Sequence, residues 1–435
     1  MSKFFRAFSI ASCVAAAGLC GSAFAQDVFP YTDGGDEGSG PGGGDWVEAA
    51  LIAPMFVISE VSPIGTGLES YCTAISSNGW IAGGAKTASS SSSPVHAFRV
   101  RADGGPVQDL GSLPGLTHSG AYGINDSGDV VGVASAASNL YGTTAQPWVY
   151  RNGVFTNLDP LQRGVYASAN AINRSGWVVG TNSFLGTGSV ESFKWQTGLP
   201  INLPDLAGDI CHISYGMGIN DAANVVGYSA APGQCGDNRP VRYGSSGGVW
   251  DLGTLGGANG QAQAINNLNE IVGYSETAGG ANRATRWSNG VITNLGTLGG
   301  ASFALATNDY SDAVGYYIDT FNQQRAAAWI NGTLYDLNSI VQNRAGWRLL
   351  IATGINNSGQ IVGQARNPAG KLRGFLLTPP CRSDFNGDGG IDGNDVTSFF
   401  ISWENSMADA DVNRDGGVDG GDIQVFFELW EAGRC

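Results

Sequence analysis

The sequence predicts an all-β protein, a seven-bladed β-propeller, followed by a small α-helical module. A nine-residue motif close to I-N-x-x-G-x-[IV]-V-G occurs seven times, at intervals of 42 to 49 residues. Repeats of about 40–50 residues built from short strands are typical of propellers. The 67 glycines and the 14% of charged residues indicate many tight turns between such strands. Near the C-terminus, two acidic twelve-residue segments each precede an apolar helical pattern.

The first 25 residues have the pattern of a secretory signal peptide. Lys3 and Arg6 precede an apolar run that ends in the small-x-small sequence Ala23-Phe24-Ala25. We therefore predict cleavage near Ala25 and a secreted, extracellular or cell-surface protein. Residues 26–54 form a leader rich in glycine and acid, and no later apolar run is long enough to span a bilayer.

The formal net charge of −15 is concentrated at the two ends of the chain. Residues 46–380 hold 20 acids and 17 bases, whereas residues 381–435 hold twelve acids and three arginines. Because no basic surface is available to attract phosphates, we exclude nucleic acid as a partner. We expect a monomer.

The seven motif copies predict hairpin turns rather than acidic sites. They occupy residues 75–83, 124–132, 172–180, 219–227, 265–273, 307–315 and 355–363. Their third residue is Ser, Asp, Arg, Asp, Asn, Asp and Asn in turn, so a site built from carboxylates is not repeated. Asn at the second position suits an Asx-turn, and Gly or Asn at the fifth suits a positive φ. We therefore predict hairpins with a G1-type bulge.

Each repeat offers four candidate strands, and the ends of the array are complementary. The last repeat, which includes residues 373–379, has a third strand and no fourth, while residues 56–67 resemble an isolated fourth strand. We predict that this N-terminal strand completes the last blade and closes the ring, because closure leaves few exposed strand edges. The predicted propeller spans residues 55–380.

The repeat array resembles the extracellular HAF-repeat family of secreted bacterial proteins. The resemblance rests on His96-Ala97-Phe98, on the seven motif copies, and on D-L-G-T-L-G-G elements such as residues 251–257. It covers roughly residues 55–380 and implies a secreted repeat protein, without implying a particular activity.

Residues 384–395 and 411–422 have the pattern of EF-hand calcium loops. In both, Asp, Asn and Asp fall at positions one, three and five, Gly at six, and Asp at nine and twelve. Ca²⁺ takes about six to eight oxygen ligands, which alternating side chains around a tight glycine turn can supply. We predict one Ca²⁺ per loop, with position seven binding through its carbonyl and position nine through water. The predicted ligands are Asp384, Asn386, Asp388, Gly390, Asp392 and Asp395, then Asp411, Asn413, Asp415, Gly417, Asp419 and Asp422.

The segments after the loops, residues 395–405 and 422–432, predict two helices that pack against each other. Each carries apolar side chains at i, i+3, i+4 and i+7, namely Val396, Phe399, Phe400 and Trp403, then Ile423, Phe426, Phe427 and Trp430. Residues 381–435 resemble a type I dockerin. The resemblance implies two calcium ions and an extracellular, cohesin-like protein partner.

Five cysteines follow the signal peptide, as suits an exported protein with disulfides. Cys381 and Cys435 bracket the C-terminal module and are predicted to pair. Cys211 and Cys235 lie in two connections on one face of a blade, where a local disulfide is expected. Cys72 lies within the first predicted strand of its repeat and is expected to be a buried free thiol.

These features predict a non-catalytic binding or scaffold protein, tethered by its tail to an extracellular, cell-surface or glycan partner. One alternative is a polysaccharide lyase or glycosidase of propeller fold, which needs paired carboxylates or a His/Tyr set at the ring's mouth. Another is a glycan-binding lectin with aromatic pockets. The aromatic residues for such pockets would come from the loops between second and third strands, at Tyr141, Phe184, Tyr228, Tyr317 and Phe321.

Overall fold

Short strands separated by glycine-rich turns account for most of the chain. The structure is a computed structural model that describes residues 56–90, 92–137, 140, 145–159, 164–184, 189–206, 208, 211–244, 247–342, 344–386, 390–413 and 417–431. The predicted signal peptide and leader therefore lie outside the described residues. The chain divides into a unit that spans Pro54–Pro380 and a unit that contains Cys381–Cys435. No helix among the described residues is long and apolar enough to cross a membrane.

Within the described residues, the strands of the first unit form the seven sheets of a β-propeller. Blade 1 contains β2 (Ser70–Ile75), β3 (Trp80–Lys86), β4 (Val95–Arg101) and β5 (Gln108–Gly111). Blade 2 contains β6 (His118–Ile124), β7 (Val130–Ser135), β8 (Gln146–Arg151) and β9 (Val154–Asn157). Blade 3 contains β10 (Gly164–Ile172), β11 (Val178–Phe184), β12 (Val190–Trp195) and β13 (Ile201–Asn202).

Blade 4 contains β14 (Ser214–Ile219), β15 (Val225–Ala231), β16 (Gln234–Tyr243) and β17 (Val249–Asp251). Blade 5 contains β18 (Gly256–Ile265), β19 (Ile271–Thr277), β20 (Asn282–Ser288) and β21 (Val291–Asn294). Blade 6 contains β22 (Ser302–Thr307), β23 (Ala313–Ile318), β24 (Gln324–Ile330) and β25 (Thr333–Asp336). These strands pair antiparallel in sequence order, as the four-strand repeat predicts.

Blade 7 combines strands from both ends of the propeller unit. It contains β27 (Arg348–Ile355), β28 (Ile361–Arg366) and β29 (Leu372–Thr378), together with β1 (Phe56–Val61) and β26 (Val341–Gln342). β1 pairs antiparallel with β29, from Val57 opposite Thr378 to Val61 opposite Gly374, and parallel with β26. The Arg373 Nε donates to Glu60 Oε1 at 2.7 Å across this pairing.

Every blade has the same irregularity in its first strand, opposite the ninth residue of the motif. In blade 2, Ala121 pairs with Gly132 and Gly123 pairs with Val131, which leaves Tyr122 as an extra, bulged residue. The ninth residue is glycine because the partner strand lies very close. A Cβ on Gly132 would lie 1.9 Å from the carbonyl oxygen of Gly120. Glycine is required here by close approach, at an ordinary backbone φ.

The core lies between neighbouring blades. Trp195 of blade 3 packs with Val131 of blade 2, and Trp287 of blade 5 packs with Val226 of blade 4. Both tryptophans are buried, as is Trp329, which occupies the same repeat position in blade 6. The three indole rings therefore belong to the core between blades.

The second unit contains two α-helices of matching length, α1 (Gly393–Glu404) and α2 (Gly420–Glu431), with a 3-10 turn at Ala408–Ala410 between them. Both helices begin two residues earlier than the sequence predicted. In α1 the reason is the cap: the Asp392 carboxylate accepts the Asn394 N–H, and the Asp395 carboxylate accepts the Asp392 N–H. The helices pack through Phe399 and Phe426. Both side chains are fully buried, and their rings stack with the centroids 4.2 Å apart.

Candidate functional site

The seven motif turns have the geometry that the sequence predicted. In blade 2, the Gly128 N–H donates to the Asn125 carbonyl and the Asn125 N–H to the Asp129 carbonyl, as in a hairpin with a G1 bulge. The Asn125 Oδ1 accepts the N–H groups of Ser127 and Asp129. All seven fifth residues have positive φ, including the non-glycine residues Ala223, Asn269 and Ser311.

The second-position asparagines also join the blades to one another. The Asn173 Nδ2 donates to the Asn220 carbonyl of the next blade at 2.9 Å, and the Asn220 Nδ2 to the Asn266 carbonyl at 3.1 Å. The same bond extends from Asn125, Asn266 and Asn308 to the next asparagine, and from Asn356 to the Ser76 carbonyl. These six asparagines are 3–5% exposed, so each amide satisfies its hydrogen-bonding groups inside the protein.

Blade 1 replaces this asparagine with Ser76 and uses a different donor. The Ser76 Oγ still accepts the Trp80 N–H at 2.9 Å, which preserves the turn. The link to blade 2 comes from Asn78, whose Nδ2 donates to the Asp126 carbonyl at 2.7 Å. The amide has moved from the second to the fourth position of the motif.

A second ring of contacts explains why the third motif residue varies. The Asp221 N–H donates to Asn267 Oδ1, the Asn267 N–H to Asp309 Oδ1, and the Asp309 N–H to Asn357 Oδ1. In these copies the third position supplies a short side chain with an oxygen acceptor, a role that Asp and Asn can both fill. Arg174 has no acceptor; it donates instead, from Nε to Asp126 Oδ2 at 3.1 Å.

The seven turns converge around a cavity of about 210 Å³. It is lined by the first three residues of every motif copy: Ile75 to Ser77, Ile124 to Asp126, Ile172 to Arg174, Ile219 to Asp221, Ile265 to Asn267, Thr307 to Asp309 and Ile355 to Asn357. We call this cavity the turn-side mouth. The sequence predicts each turn singly and carries no signal of a shared cavity.

The loops between second and third strands offer fewer exposed aromatic groups than the sequence suggested. Tyr228 and Tyr317 are buried, and Phe184 is partly buried. Phe321 is 81% exposed, while Tyr141 lies outside the described residues. Aromatic pockets are thus not formed by Tyr228 and Tyr317, because both rings pack into the propeller.

In the second unit, the last residue of each predicted calcium loop organises the loop backbone. The Asp395 carboxylate accepts the N–H groups of Asn386 and Asp392, at 3.1 and 2.7 Å. The Asp422 carboxylate accepts those of Asn413 and Asp419, at 3.0 and 2.8 Å. The described residues of the two loops therefore make matching hydrogen bonds to a position-twelve aspartate.

Each loop is also held to the opposite helix. The Trp403 Nε1 of α1 donates to the Asp419 carbonyl at 2.9 Å, and the Trp430 Nε1 of α2 donates to the Asp392 carbonyl at 3.0 Å. These reciprocal bonds relate the two halves of the module by an approximate two-fold symmetry, which the repeated sequence anticipates.

The residues of these loops suit calcium chemically. Asp395 and Asp422 are 0% exposed, and the ion pairs of the described residues include neither. Buried carboxylates in proteins are paired or coordinate metals. Asp384, Asn386, Gly390 and Asp392, with Asp411, Asn413, Gly417 and Asp419, lie in the same loops. Asp388 and Asp415 lie outside the described residues, among which no cluster of three His, Cys, Asp or Glu side chains has metal-binding geometry.

The histidines and cysteines are mostly structural. The His96 Nδ1 lies 3.0 Å from Asp109 Oδ1, and the His212 Nδ1 lies 3.1 Å from Asp205 Oδ2. His118 is the first residue of β6 and is buried; its burial, and secondly the nearby His96, lower its pKa.

The predicted disulfide between Cys211 and Cys235 is confirmed. Cys381 is also disulfide-bonded, and its predicted partner Cys435 lies outside the described residues. Cys72 is a fully buried free thiol whose pKa is raised by burial, as the sequence predicted.

Comparison with known protein families and with curated proteins found no match. Several solved structures are similar at 11% sequence identity. The β-propeller domain of the trilobed protease from Pyrococcus furiosus aligns with 77% of this chain and 96% of its own, with a TM-score of 0.47. TolB from Acinetobacter baumannii aligns over 69% of this chain and 64% of its own (TM-score 0.39), so the chain spans less than two-thirds of that protein's length. The fungal lectin from Aleuria aurantia aligns over 65% and 95% (TM-score 0.35).

Proposed function

We propose that this protein is an extracellular, non-catalytic binding or scaffold protein. Its propeller serves as an interaction platform, and its C-terminal module serves as a calcium-dependent, dockerin-like tether. The observation that carries the proposal is the matched pair of loops, each organised by a fully buried position-twelve aspartate. Such duplication favours two equivalent ion sites over a solvated acidic tail.

Bound Ca²⁺ would supply the positive charge that the buried carboxylates of this module need. Residues 381–435 carry twelve acids and three arginines, a net charge of −9, and two Ca²⁺ would offset four of these charges. Asp384, Asn386, Asp388 and Asp395 would hold one ion, and Asp411, Asn413, Asp415 and Asp422 the other. We propose that the module is unfolded without metal, because the site and the fold form together.

Several further features support an exported repeat protein of the HAF type. The Cys211–Cys235 disulfide is compatible with an oxidising compartment, and the N-terminal sequence has the signal-peptide pattern. We also propose that β1 closes the propeller ring, since it pairs with β29 of the last blade. Asn356 of the same blade donates to the Ser76 carbonyl of blade 1.

A calcium titration of the full chain tests the proposed metal sites. We expect two Ca²⁺ to bind by isothermal titration calorimetry. Asp395→Asn and Asp422→Asn should each remove one ion, and Glu404→Gln, an exposed acid of α1 outside both loops, should leave two. Wild-type stoichiometry in both loop variants would refute the assignment.

The tethering role is tested by capture. The immobilised full chain would be incubated with the producing organism's extracellular fraction, in calcium and in chelator, beside the Asp395→Asn/Asp422→Asn double variant. We expect a protein partner that is lost in chelator and with the double variant. A partner captured equally in all three arms would contradict a calcium-dependent tether.

A further inference from the structure

The turn-side mouth is a cup whose exposed lining is mainly polar. At the first motif position, five isoleucines remain only 7–9% exposed, namely Ile124, Ile172, Ile219, Ile265 and Ile355. Four of them, Ile124, Ile172, Ile219 and Ile265, pack in the hydrophobic clusters between blades. The third-position residues form the rim. Convergent polar groups of this kind orient a bound ligand in many protein sites.

The rim presents hydrogen-bonding groups to solvent. Ser77, Arg174, Asp221 and Asn267 are exposed there. The Arg174 side chain is 64% exposed although its guanidinium bonds Asp126, so some of its five N–H groups face outward. Asp221 uses Oδ1 to accept the Arg174 N–H at 3.0 Å, which leaves acceptor capacity at Oδ2. A donor and an acceptor therefore lie side by side at one point of the rim.

The charge of the rim restricts the ligand. Its third-position residues include three aspartates, at 126, 221 and 309, and one arginine, at 174. With a net charge of −2, the rim repels an anionic ligand. Because a cavity of about 150 Å³ can hold a benzene molecule, the cavity of about 210 Å³ has room for one small ring.

We propose that the turn-side mouth binds one neutral pyranose residue at the end of a glycan. A pyranose is a disc with hydroxyl groups around its equator and C–H groups on its faces. The hydroxyls would meet the Asp221 carboxylate and the Arg174 guanidinium at the rim. This inference rests on the proposed role of the propeller as a binding platform, and gives that platform a ligand class and a position.

The hydrogen bonds between turns prepare this site before a ligand arrives. The buried asparagine ring fixes the positions of the seven turns, so binding would not have to order them. Uronic acids and sialic acids share the ring shape but carry a carboxylate, which the net negative rim disfavours.

The test uses the full chain and two kinds of probe. Neutral methyl pyranosides of glucose, galactose, mannose and fucose would be titrated against it by calorimetry, beside methyl glucuronide. Ser77→Trp would fill the cavity, and Ser77→Ala is its matched control. Phe321→Ala removes the most exposed aromatic side chain of the described residues, which lies at the other end of β23 from the turn that lines the mouth.

We expect at least one neutral glycoside to bind and methyl glucuronide to bind at least about tenfold more weakly, which corresponds to about 1.4 kcal/mol. Ser77→Trp should weaken the neutral ligand by tenfold or more, while Ser77→Ala and Phe321→Ala stay within about twofold. If Ser77→Trp lowers the melting temperature, Arg174→Ala serves as the second mouth variant.

The proposal is overturned if no neutral glycoside binds, if binding survives both mouth variants, or if Phe321→Ala abolishes it. Repeating the titration in chelator separates this inference from the calcium tether. Glycoside binding should persist there even if the tail binds no metal.

Discussion

Asn220 does two jobs at the scale of a single residue. Its Oδ1 accepts the Asn224 N–H and so closes its own turn, while its Nδ2 donates to the Asn266 carbonyl of the next blade. Ser76 of blade 1 does only the first of these, and Asn78 takes over the second. The chain therefore contains both versions of the junction, which makes the two contributions separable.

We expect Asn220→Ala to lower the free energy of unfolding by about 2–3 kcal/mol, because a buried turn N–H and a buried carbonyl both lose their partner. Asn220→Ser should cost about 1 kcal/mol, since the hydroxyl can still accept the turn N–H. Adding Ala222→Asn to Asn220→Ser should recover most of that loss by reproducing the arrangement of blade 1. Urea denaturation measures all three.

The control for this series is Ala222→Asn alone. It adds an amide to a turn that already has its inter-blade bond, so its effect should be within about 0.5 kcal/mol. Equal destabilisation by Asn220→Ala and Asn220→Ser would show that only the inter-blade bond matters at this position. Failure of the double variant to recover stability would mean that the two junctions are not equivalent.

Some of these residue-scale features could be predicted from the sequence. The Asx-turns and the positive φ at the fifth position follow from local rules. The φ is positive even at Ala223 and Ser311, whose residue types do not favour it. The role of Asp309 could not be predicted, because its acceptor function is defined by the Asn267 N–H of another blade. Local sequence contains no information about that neighbour.

At the scale of the element, the ninth glycine sets the spacing between the first two strands of a blade. A Cβ on Gly227 would lie 1.8 Å from the Tyr215 carbonyl oxygen, in the middle of the β14–β15 pairing. We expect Gly227→Ala to cost about 3 kcal/mol, because two paired strands must separate to admit one methyl group. The shift in the urea midpoint measures this cost.

Gly236 provides the matched control in the same blade. A Cβ there would meet no atom within 4 Å, and its φ is not in the left-handed region. Gly236→Ala should therefore change stability by no more than about 0.5 kcal/mol. A similar cost for both variants would point to a general effect of losing glycine rather than to the strand contact.

The two C-terminal helices illustrate what periodicity can and cannot fix. The apolar stripe identified Phe399 and Phe426, which are the fully buried residues of the aromatic core. The stripe did not locate the start of α1, because Gly393 and Asn394 have low intrinsic helix propensity. The helix begins there because the side chains of Asp392 and Asp395 cap it.

At the scale of the whole molecule, buried tyrosines make the propeller sensitive to alkali. Burial raises the pKa of Tyr71, Tyr166 and Tyr243 to about 12, against about 10 in an unfolded chain. The folded state thus holds these protons more tightly, so stability is unaffected below pH 10 and falls as the pH rises from 10 towards 12. We expect cooperative unfolding in that window, followed by circular dichroism and tyrosinate absorbance.

Tyr243→Phe tests the cause of that alkaline transition. Removing one raised group should move the onset of unfolding to higher pH, since one fewer proton is released on unfolding. An unchanged onset would assign the transition to other groups.

The turn-side mouth is also a property of the whole molecule, and it could not be predicted from the sequence. Repeat spacing predicts seven blades, and each motif predicts one turn. The cavity exists because seven turns meet. Asp126, Arg174 and Asp221 therefore line one cavity, which the sequence of a single repeat does not predict. The third motif residue differs between the copies, so the cavity has one asymmetric rim instead of seven equivalent sites.

The pairing of β1 with β29 has a consequence for the time course of synthesis. Val57 pairs with Thr378, and the difference 378 − 57 is 321 residues. At about 5–20 residues per second, a ribosome needs roughly 16 to 64 seconds to add them, and chains emerge N-terminus first. Throughout that interval β1 is a nascent strand without its partner, exposed to wrong pairing and to chaperones. Among the described strands, β1 is synthesised first and pairs with β29, the last strand of the propeller unit to be synthesised.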